Sequence, residues 1–299
     1  MQYLTANEYF RRRFGRKVYK LALSGGMTCP NRDGAKGDRG CIFCSASGSG
    51  DFAEPLCGDV FTQIERAKAR VAPKLKGAEA PAYIAYFQSF TNTYAPVDSL
   101  EALFLPAISH PDVVALGIAT RPDCLPGPVL DLLDRLNRIK PVIVELGLQT
   151  IHPETAAFIR RGYPLEDYDR AVAALKALGI HTVVHMILGL PGETEEMTAA
   201  TARYIGQSGA DGIKLQLLHV LEGTDLAALW RRGEVPILTP EQYAHTLAAC
   251  LAVLPEGMVI HRLTGDGAIK DLLAPLWSAD KKRVINYINR YLRGIWYVL

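Results

Sequence analysis

A chain of 299 residues with 49% hydrophobic and 21% charged side chains can bury a large core, which excludes wholesale disorder. Its formal net charge of +2 is too small to imply a nucleic-acid partner by bulk electrostatics, so any such case rests on local clustering. No apolar run is long enough to cross a bilayer, because Pro191 and Gly192 end the longest one, and residues 1–8 lack the basic-then-apolar order of a signal peptide. A cytoplasmic protein with no membrane partner is expected.

In chain order, six short apolar runs read as strands: Val18–Leu23, Ala82–Phe87, Val113–Ala119, Val142–Leu148, Thr182–Leu188 and Gly212–Leu218. The segments between them have helical spacing. Asp98 with Glu101 reads as an N-cap and its partner, and Val129, Leu132, Leu133 and Leu136 form one apolar stripe. Thr239-Pro240-Glu241-Gln242 reads as a capping box with proline in the first turn. Residues 74–79 are expected to form an exposed loop. Strand and helix alternating at this spacing imply an α/β architecture of right-handed βαβ units around a parallel sheet. Six units fit a partial (β/α)6 TIM-like barrel, although the pattern also allows a doubly wound open sheet. In a barrel, polar residues near the C-terminal strand ends converge on one mouth. The expected division is an N-terminal helical segment over 1–16, the barrel over 17–220, and a short C-terminal extension over 221–299 packed on the barrel.

The six cysteines are unevenly placed: Cys29, Cys41 and Cys44 crowd a loop after the first strand, whereas Cys57, Cys124 and Cys250 are scattered. A reducing compartment would not maintain disulfides, so the cluster reads as metal-binding or catalytic. Gly34, Gly37 and Gly40 let the backbone fold Cys29 back toward the Cys41-x-x-Cys44 pair. Two centres fit. Thiolates are the usual ligands of iron–sulfur clusters, and three of them on a four-iron cube leave one iron open to a small molecule. A structural zinc site with Cys57 as fourth thiolate also fits, although zinc ribbons pair two Cys-x-x-Cys knuckles and Cys57 has no second cysteine beside it.

The strands carry polar residues where an apolar core would not need them. Glu145, Gly147 and Gln149 share one strand face, a set suited to a polar ligand: glycine for close approach, the other two for hydrogen bonds. Gln88 and Asn92 follow the second strand. His185 lies mid-strand, and Lys214 and Gln216 share a face of the sixth strand. Ionisable groups inside a barrel need partners or a ligand, which makes His185, Lys214 and Gln216 the candidate catalytic, substrate-contacting residues. Arg121 and Asp123 are expected to form a structural ion pair.

The cysteine loop and the segments 48–53, 86–94, 120–124, 144–150, 185–193 and 261–267 together resemble the radical S-adenosylmethionine (SAM) superfamily. The resemblance is to the branch related to the Elongator catalytic subunit and, more narrowly, to the YhcC-like bacterial proteins. It spans nearly the whole chain. The superfamily's commoner first loop has three residues between its first two cysteines; here eleven lie between Cys29 and Cys41, as in the subfamily. The resemblance implies that Cys29, Cys41 and Cys44 hold a [4Fe–4S] cluster whose open iron chelates SAM. It implies that Gln149 contacts the SAM ribose and that Glu145 lies near the methionyl portion. Gln88 and Asn92 stand where the superfamily presents acceptors to the SAM amino group, without its usual glycine-rich motif. Arg161 resembles the arginine that pairs with the SAM carboxylate, and the 188–193 turn would lie against the adenine. A one-electron reductant such as flavodoxin or ferredoxin would be required.

Two basic stretches, residues 11–17 and 281–293, interleave cations with aromatics. Such segments bind phosphates and stack bases, or simply form solvated helix faces. The subfamily's link to wobble-uridine modification implies tRNA as partner and a reaction at the uridine C5 side chain, taking carboxymethylaminomethyl to aminomethyl. The competing expectations are a radical SAM enzyme acting on a peptide or small metabolite, and a non-catalytic zinc-stabilised RNA-binding protein.

Overall fold

A computed structural model describes residues 3–48, 50–75, 81–265, 267 and 269–296, without the side chains of 74, 295 and 296. Residues 76–79 of the expected exposed loop, and Ser49 and Asp266 of the motifs above, lie outside the described residues. The elements are β1 (Leu4–Thr5), α1 (Ala6–Phe14), β2 (Val18–Leu23), α2 (Val60–Val71), β3 (Ala82–Phe87), α3 (Val97–Ser109) and β4 (Val113–Thr120). There follow α4 (Gly127–Asn137), β5 (Val142–Gln149), α5 (Pro153–Phe158), α6 (Leu165–Ala177), β6 (His181–Leu188), α7 (Glu195–Gln207) and β7 (Gly212–Leu217). The last are β8 (Val220–Leu221), α8 (Asp225–Arg231), α9 (Pro240–Ala252), β9 (Val259–Arg262), β10 (Leu272–Ala274) and α10 (Lys281–Trp296). All six expected strands are present, each end within one residue of its expected place.

The sheet is larger than expected. Eight parallel strands run in the order β1-β9-β7-β6-β5-β4-β3-β2, curled into a half-barrel. β1 and β9 are too short to show a period in the sequence, and they take their places only by pairing with each other and with β7. This corrects the expected division at 220/221: the C-terminal segment supplies a strand of the barrel sheet as well as elements packed on it. β8 and β10 form a separate two-stranded antiparallel sheet.

Alternation along each strand separates two cores. On the outer face, Tyr83, Ala85 and Phe87 pack with Leu100 and Phe104 of α3, and the α4 stripe Val129, Leu132, Leu133 and Leu136 is buried in the same cluster. Each leucine, valine or phenylalanine among them contributes about 1.5–3 kcal/mol on burial. On the inner face, Phe10 of α1 packs against Ile84, Tyr86, Ala115, Ile143 and Val183. α1 also touches β1, β2 and β9, so it fills the gap between the two sheet edges and floors the barrel. The expected capping box of α9 forms: Thr239 Oγ1 accepts from the Gln242 backbone N–H at 3.2 Å, and Gln242 Oε1 from that of Thr239 at 2.9 Å. Asp98 is not a cap; the N-cap of α3 is Pro96, and Asp98 sits in the first turn, where its charge favours the helix dipole. Among the described residues, no helix is long and apolar enough to cross a membrane.

Candidate active site

The inner face opens into a cavity of ≈ 740 Å³ whose wall includes Cys29, Cys41 and Cys44. The loop that carries them is fastened at several points. Asn31 Nδ2 donates to the carbonyls of Arg160 (2.6 Å) and Arg161 (3.2 Å), beyond the end of β5. Arg32 donates to the carbonyls of Cys44 (2.9 Å) and Ser45 (2.7 Å), and Lys36 pairs with Asp123 at 2.7 Å. Ile42, between two of the cysteines, is buried in a second apolar cluster with Ile159, Leu190 and Leu226. The Leu226 N–H donates to the Ile42 carbonyl at 2.9 Å. A loop rich in glycine thus becomes rigid through contacts remote in sequence.

Burial, together with the neighbouring thiol of Cys44, pushes the Cys41 thiol up to about 11; burial also raises Cys44. Metal loading must therefore displace protons from these sulfurs. Among the described residues, Cys29, Cys41 and Cys44 are the cysteines on the cavity wall, and three thiolates without a fourth suit a cluster with one open iron better than a closed four-thiolate zinc site. Cys57 is not on the cavity wall; its sulfur accepts from Arg66 Nη1 at 2.9 Å.

Polar atoms without partners point to a further ligand. Gln149 Oε1 and Thr91 Oγ1 are buried and lack a hydrogen bond among the described residues, and both residues line the cavity. Gly147 beside Gln149 also lines it, as does Gln88. Among the described residues, the four non-glycine ones with positive φ, Ser89 (83°), Phe90 (55°), Gln149 (70°) and Arg160 (57°), gather here. The first three line the cavity, and the Arg160 carbonyl accepts from Asn31. Backbone strain of this kind is retained where a site demands it. The donor set and these unpartnered acceptors fit a cluster with a small polar cofactor beside it.

Deeper in the barrel lies a charged layer. Glu145, 1% exposed, accepts from Lys20 at 2.6 Å through Oε1. Through Oε2 it accepts from Tyr86 (2.6 Å), from His185 Nε2 (2.7 Å) and from Lys214. Burial opposes ionisation of Glu145, but Lys20, Lys214 and the His185 hydrogen bond overcome it and hold the carboxyl well below its usual range. Burial, aided by Lys214, lowers His185 to about 4, so its ring is neutral at pH 7.

Burial outweighs the attraction of Glu145 and, with Lys20 and Arg262 nearby, lowers Lys214 to about 7. A lysine whose folded-state value lies below its unfolded value (~10.4) leaves the unfolded chain binding more protons between about pH 7 and 10. Its contribution to stability therefore rises across that window. Urea unfolding over the same range is expected to show this slope in the wild type and its loss in Lys214→Met.

The structure thus brings His185, Lys214 and Glu145 together, and places Gln216 on the same wall. Three earlier expectations change. Glu145 is the hub of an ion network, with both oxygens taken by protein donors, so it is not free to contact the methionyl portion of SAM. Arg161 is buried with its guanidinium spent on backbone: Nη1 donates to Thr150 O (2.6 Å), Nε and Nη2 to Tyr163 O (3.2 and 3.0 Å). It borders the cavity but serves first to hold the turn after β5, which leaves no uncommitted fork for a carboxylate. Asn92 is buried off the cavity wall, its amide donating to Ser89 O (2.9 Å) and Ala119 O (3.0 Å), so it braces the loop after β3. The 188–193 turn packs on the C-terminal segment, with Leu190 buried in one cluster with Val235 and Ala274. Arg121 and Asp123 do form a bidentate pair, 2.9 Å at each contact.

Sequence reasoning missed Lys20, Tyr86, Asn31 and Arg262. Lys20, a lysine in the middle of the apolar run Val18–Leu23, was a legible signal; the other three were not, because their roles depend on what faces them. Gly162 shows such a dependence: its φ is +79° and a Cβ there would lie 2.4 Å from Asn31 Oδ1. Gly162→Ala is expected to cost roughly 1–2 kcal/mol from the left-handed backbone alone. It should also displace Asn31, and iron bound after reconstitution should fall severalfold.

Comparison with known proteins agrees with this geometry. The Radical SAM superfamily profile matches residues 34–205, and the Radical_SAM C-terminal domain matches residues 210–294. YtqA of Bacillus subtilis (strain 168) is 43% identical over 293 residues, covering 98% of this chain and 90% of the relative. Protein YhcC of Escherichia coli (strain K12) is 36% identical over 282 residues, covering 94% and 89%. A tRNA uridine(34) acetyltransferase of Methanocaldococcus jannaschii is 31% identical over 156 residues, which is 51% of this chain and 28% of that protein. Among solved structures, the archaeal Methanocaldococcus infernus Elp3 with an N-terminal deletion superposes with a TM-score of 0.65 at 20% identity. That match covers 91% of this chain and 63% of the longer one, and it concerns the fold.

Proposed function

The chain belongs to the radical SAM superfamily and is an enzyme that uses a [4Fe–4S] cluster and SAM; on that premise we propose that it modifies the C5 side chain of the tRNA wobble uridine, taking carboxymethylaminomethyl to aminomethyl. The observation that carries the reading is the cavity itself: three thiols on its wall and a buried polar layer deeper in the same space. Its ≈ 740 Å³ lies within the range of small-molecule sites, enough for a cofactor and one splayed substrate group.

When bound, the cluster and SAM supply a 5′-deoxyadenosyl radical by reductive cleavage of SAM. The chain's own residues hold, orient and shield. Cys29, Cys41 and Cys44 hold the cluster, and Gln149, Thr91 and Gln88 offer polar groups to SAM. The α1 floor closes the barrel below and keeps water from entering there. Neutral His185, Lys214 and Gln216 face the substrate from β6 and β7. With the cluster bound, a one-electron donor of the flavodoxin or ferredoxin type would be required.

Support for tRNA comes from the partial match to a tRNA uridine(34) acetyltransferase and from α10, whose first residue, Lys281, borders the cavity. Along α10, Lys282, Arg283, Tyr287 and Arg290 are exposed, a face suited to phosphates and bases. Anaerobically reconstituted enzyme with a chemical reductant, SAM and tRNA carrying carboxymethylaminomethyluridine tests the proposal by nucleoside mass spectrometry. Loss of that nucleoside in step with 5′-deoxyadenosine is expected. Unchanged tRNA, with SAM cleaved on a peptide or metabolite instead, sinks the substrate assignment.

A further inference from the structure

One side chain ties the two ends of the cysteine loop together. The Arg32 N–H donates to the Cys29 carbonyl at 2.7 Å and closes a turn. Its side chain then runs back across the loop to the other ligand pair. Nη2 donates to the carbonyls of Cys44 (2.9 Å) and Ser45 (2.7 Å), and the guanidinium lies 5.4 Å from the centre of the Phe90 ring. Gly40 makes this crossing possible, because a Cβ there would stand 2.9 Å from Arg32 Nε and 3.1 Å from its Cζ. The glycine before Cys41 is therefore a passage for the arginine as well as a bend in the loop.

A positive charge is thus fixed beside a cluster ligand, on the cavity wall. Carbonyl oxygens and an aromatic ring hold it, and among the described residues no carboxylate pairs with it. Other donors near the thiols differ. Arg121 is paired bidentately with Asp123, and Arg39 of the same loop pairs with Asp225 at 2.6 Å on the exposed side. Asn31 Nδ2, 3.7 Å from the Cys41 sulfur, belongs to an uncharged amide. Burial is the main influence on the Cys44 thiol. Of the charged groups around it Arg32 acts most strongly, and Cys29 and Asp51 act more weakly in the opposite sense.

A [4Fe–4S] cluster gains one negative charge on reduction, and net charge, hydrogen bonds to sulfur and burial set how readily it does so. A charge held in a partly buried wall is screened less than one in water. We propose that Arg32 is a positioning residue for electron entry, whose charge beside Cys44 raises the reduction potential of the bound cluster. One electron arrives from the donor, and no bond or proton of Arg32 changes. This role is independent of the substrate on which the radical acts.

The test is a potentiometric titration of the anaerobically reconstituted protein, followed by absorption and electron paramagnetic resonance, without SAM and with it. Iron and sulfide are measured alongside, and fully loaded samples are compared. In Arg32→Met the ratio of reduced to oxidised cluster at a fixed potential should fall about tenfold, a shift of about 59 mV for a one-electron couple. Arg32→Gln, which keeps an amide donor for the loop carbonyls, should show the same fall and serves if the methionine variant loads poorly. Arg32→Lys retains the charge and should stay within about threefold of wild type. Arg39→Gln removes a charge from the exposed side of the same loop and should stay within about twofold. A loaded neutral variant with an unchanged potential overturns the proposal. So does an equal shift in Arg39→Gln, which would make the effect one of overall charge. A tenfold fall in Arg32→Lys also overturns it, because the fork of hydrogen bonds would then matter and not the charge. Loss of the cluster in both neutral variants does the same, leaving Arg32 as a clamp alone. A shift seen only with SAM, accompanied by lost SAM affinity, would assign the guanidinium to SAM and end the proposal.

Discussion

Alanine at Cys29, Cys41 or Cys44 is expected to abolish SAM cleavage in each single variant, with loss of cluster iron and sulfide. All three thiols line one cavity. A cluster held by three thiolates has no spare ligand, so removing one should cost more than the ~10–100-fold typical of losing an outer-shell partner. Cys57→Ala is the control: its sulfur sits with Arg66 away from the cavity, and iron content and 5′-deoxyadenosine formation should stay near wild type. Iron and sulfide analysis with absorption spectra after anaerobic reconstitution checks both statements. A Cys57→Ala variant without a cluster, or a Cys41→Ala variant that still cleaves SAM, would contradict the ligand assignment.

The second large effect is on stability. Glu145→Ala removes the acceptor of Lys20, Tyr86, His185 and Lys214 at once. Lys20 can recover water, because its side chain is partly exposed, but Lys214 and Tyr86 are each only 5% exposed. Breaking a buried pair from one side typically costs about 3–5 kcal/mol, a large share of the ~5–15 kcal/mol that holds a domain folded. Glu145→Gln keeps the oxygen that accepts from Tyr86 and should cost less. Glu145→Ala combined with Lys214→Met should be more stable than Glu145→Ala alone, since the orphaned charge is gone. Urea unfolding of the set decides the matter: if Glu145→Ala unfolds within about 1 kcal/mol of wild type, the layer is not an ion network in solution.

How much of this was legible beforehand depended on the range of the interactions involved. Strand positions followed from runs of apolar residues between Gly and Pro, and the α9 capping box from four adjacent residues; both are local patterns. Asp98 misled because a capping residue and a first-turn residue look alike in one dimension, and the proline before the helix decided which it was. Arg161 and Asn92 misled for a different reason. A polar side chain near a strand end can face the mouth or turn back onto carbonyls, and only the folded chain shows that both turn back.

By itself the sequence determined the cysteine set, the six central strands and the polar face bearing Glu145, Gly147 and Gln149, since each depends on residue type at short spacing. The tertiary structure alone decided that β1 and β9 extend the sheet, that α1 floors the barrel, and that Asn31 ties the cysteine loop to the end of β5. It also decided that Lys20, Tyr86, Glu145, His185 and Lys214, spread over nearly two hundred residues of chain, share one carboxylate. The physical reason is that a buried charge is defined by what surrounds it. Sequence shows that a lysine or glutamate sits in an apolar strand, but its partners come from other strands, and register and curvature of the parallel sheet choose them.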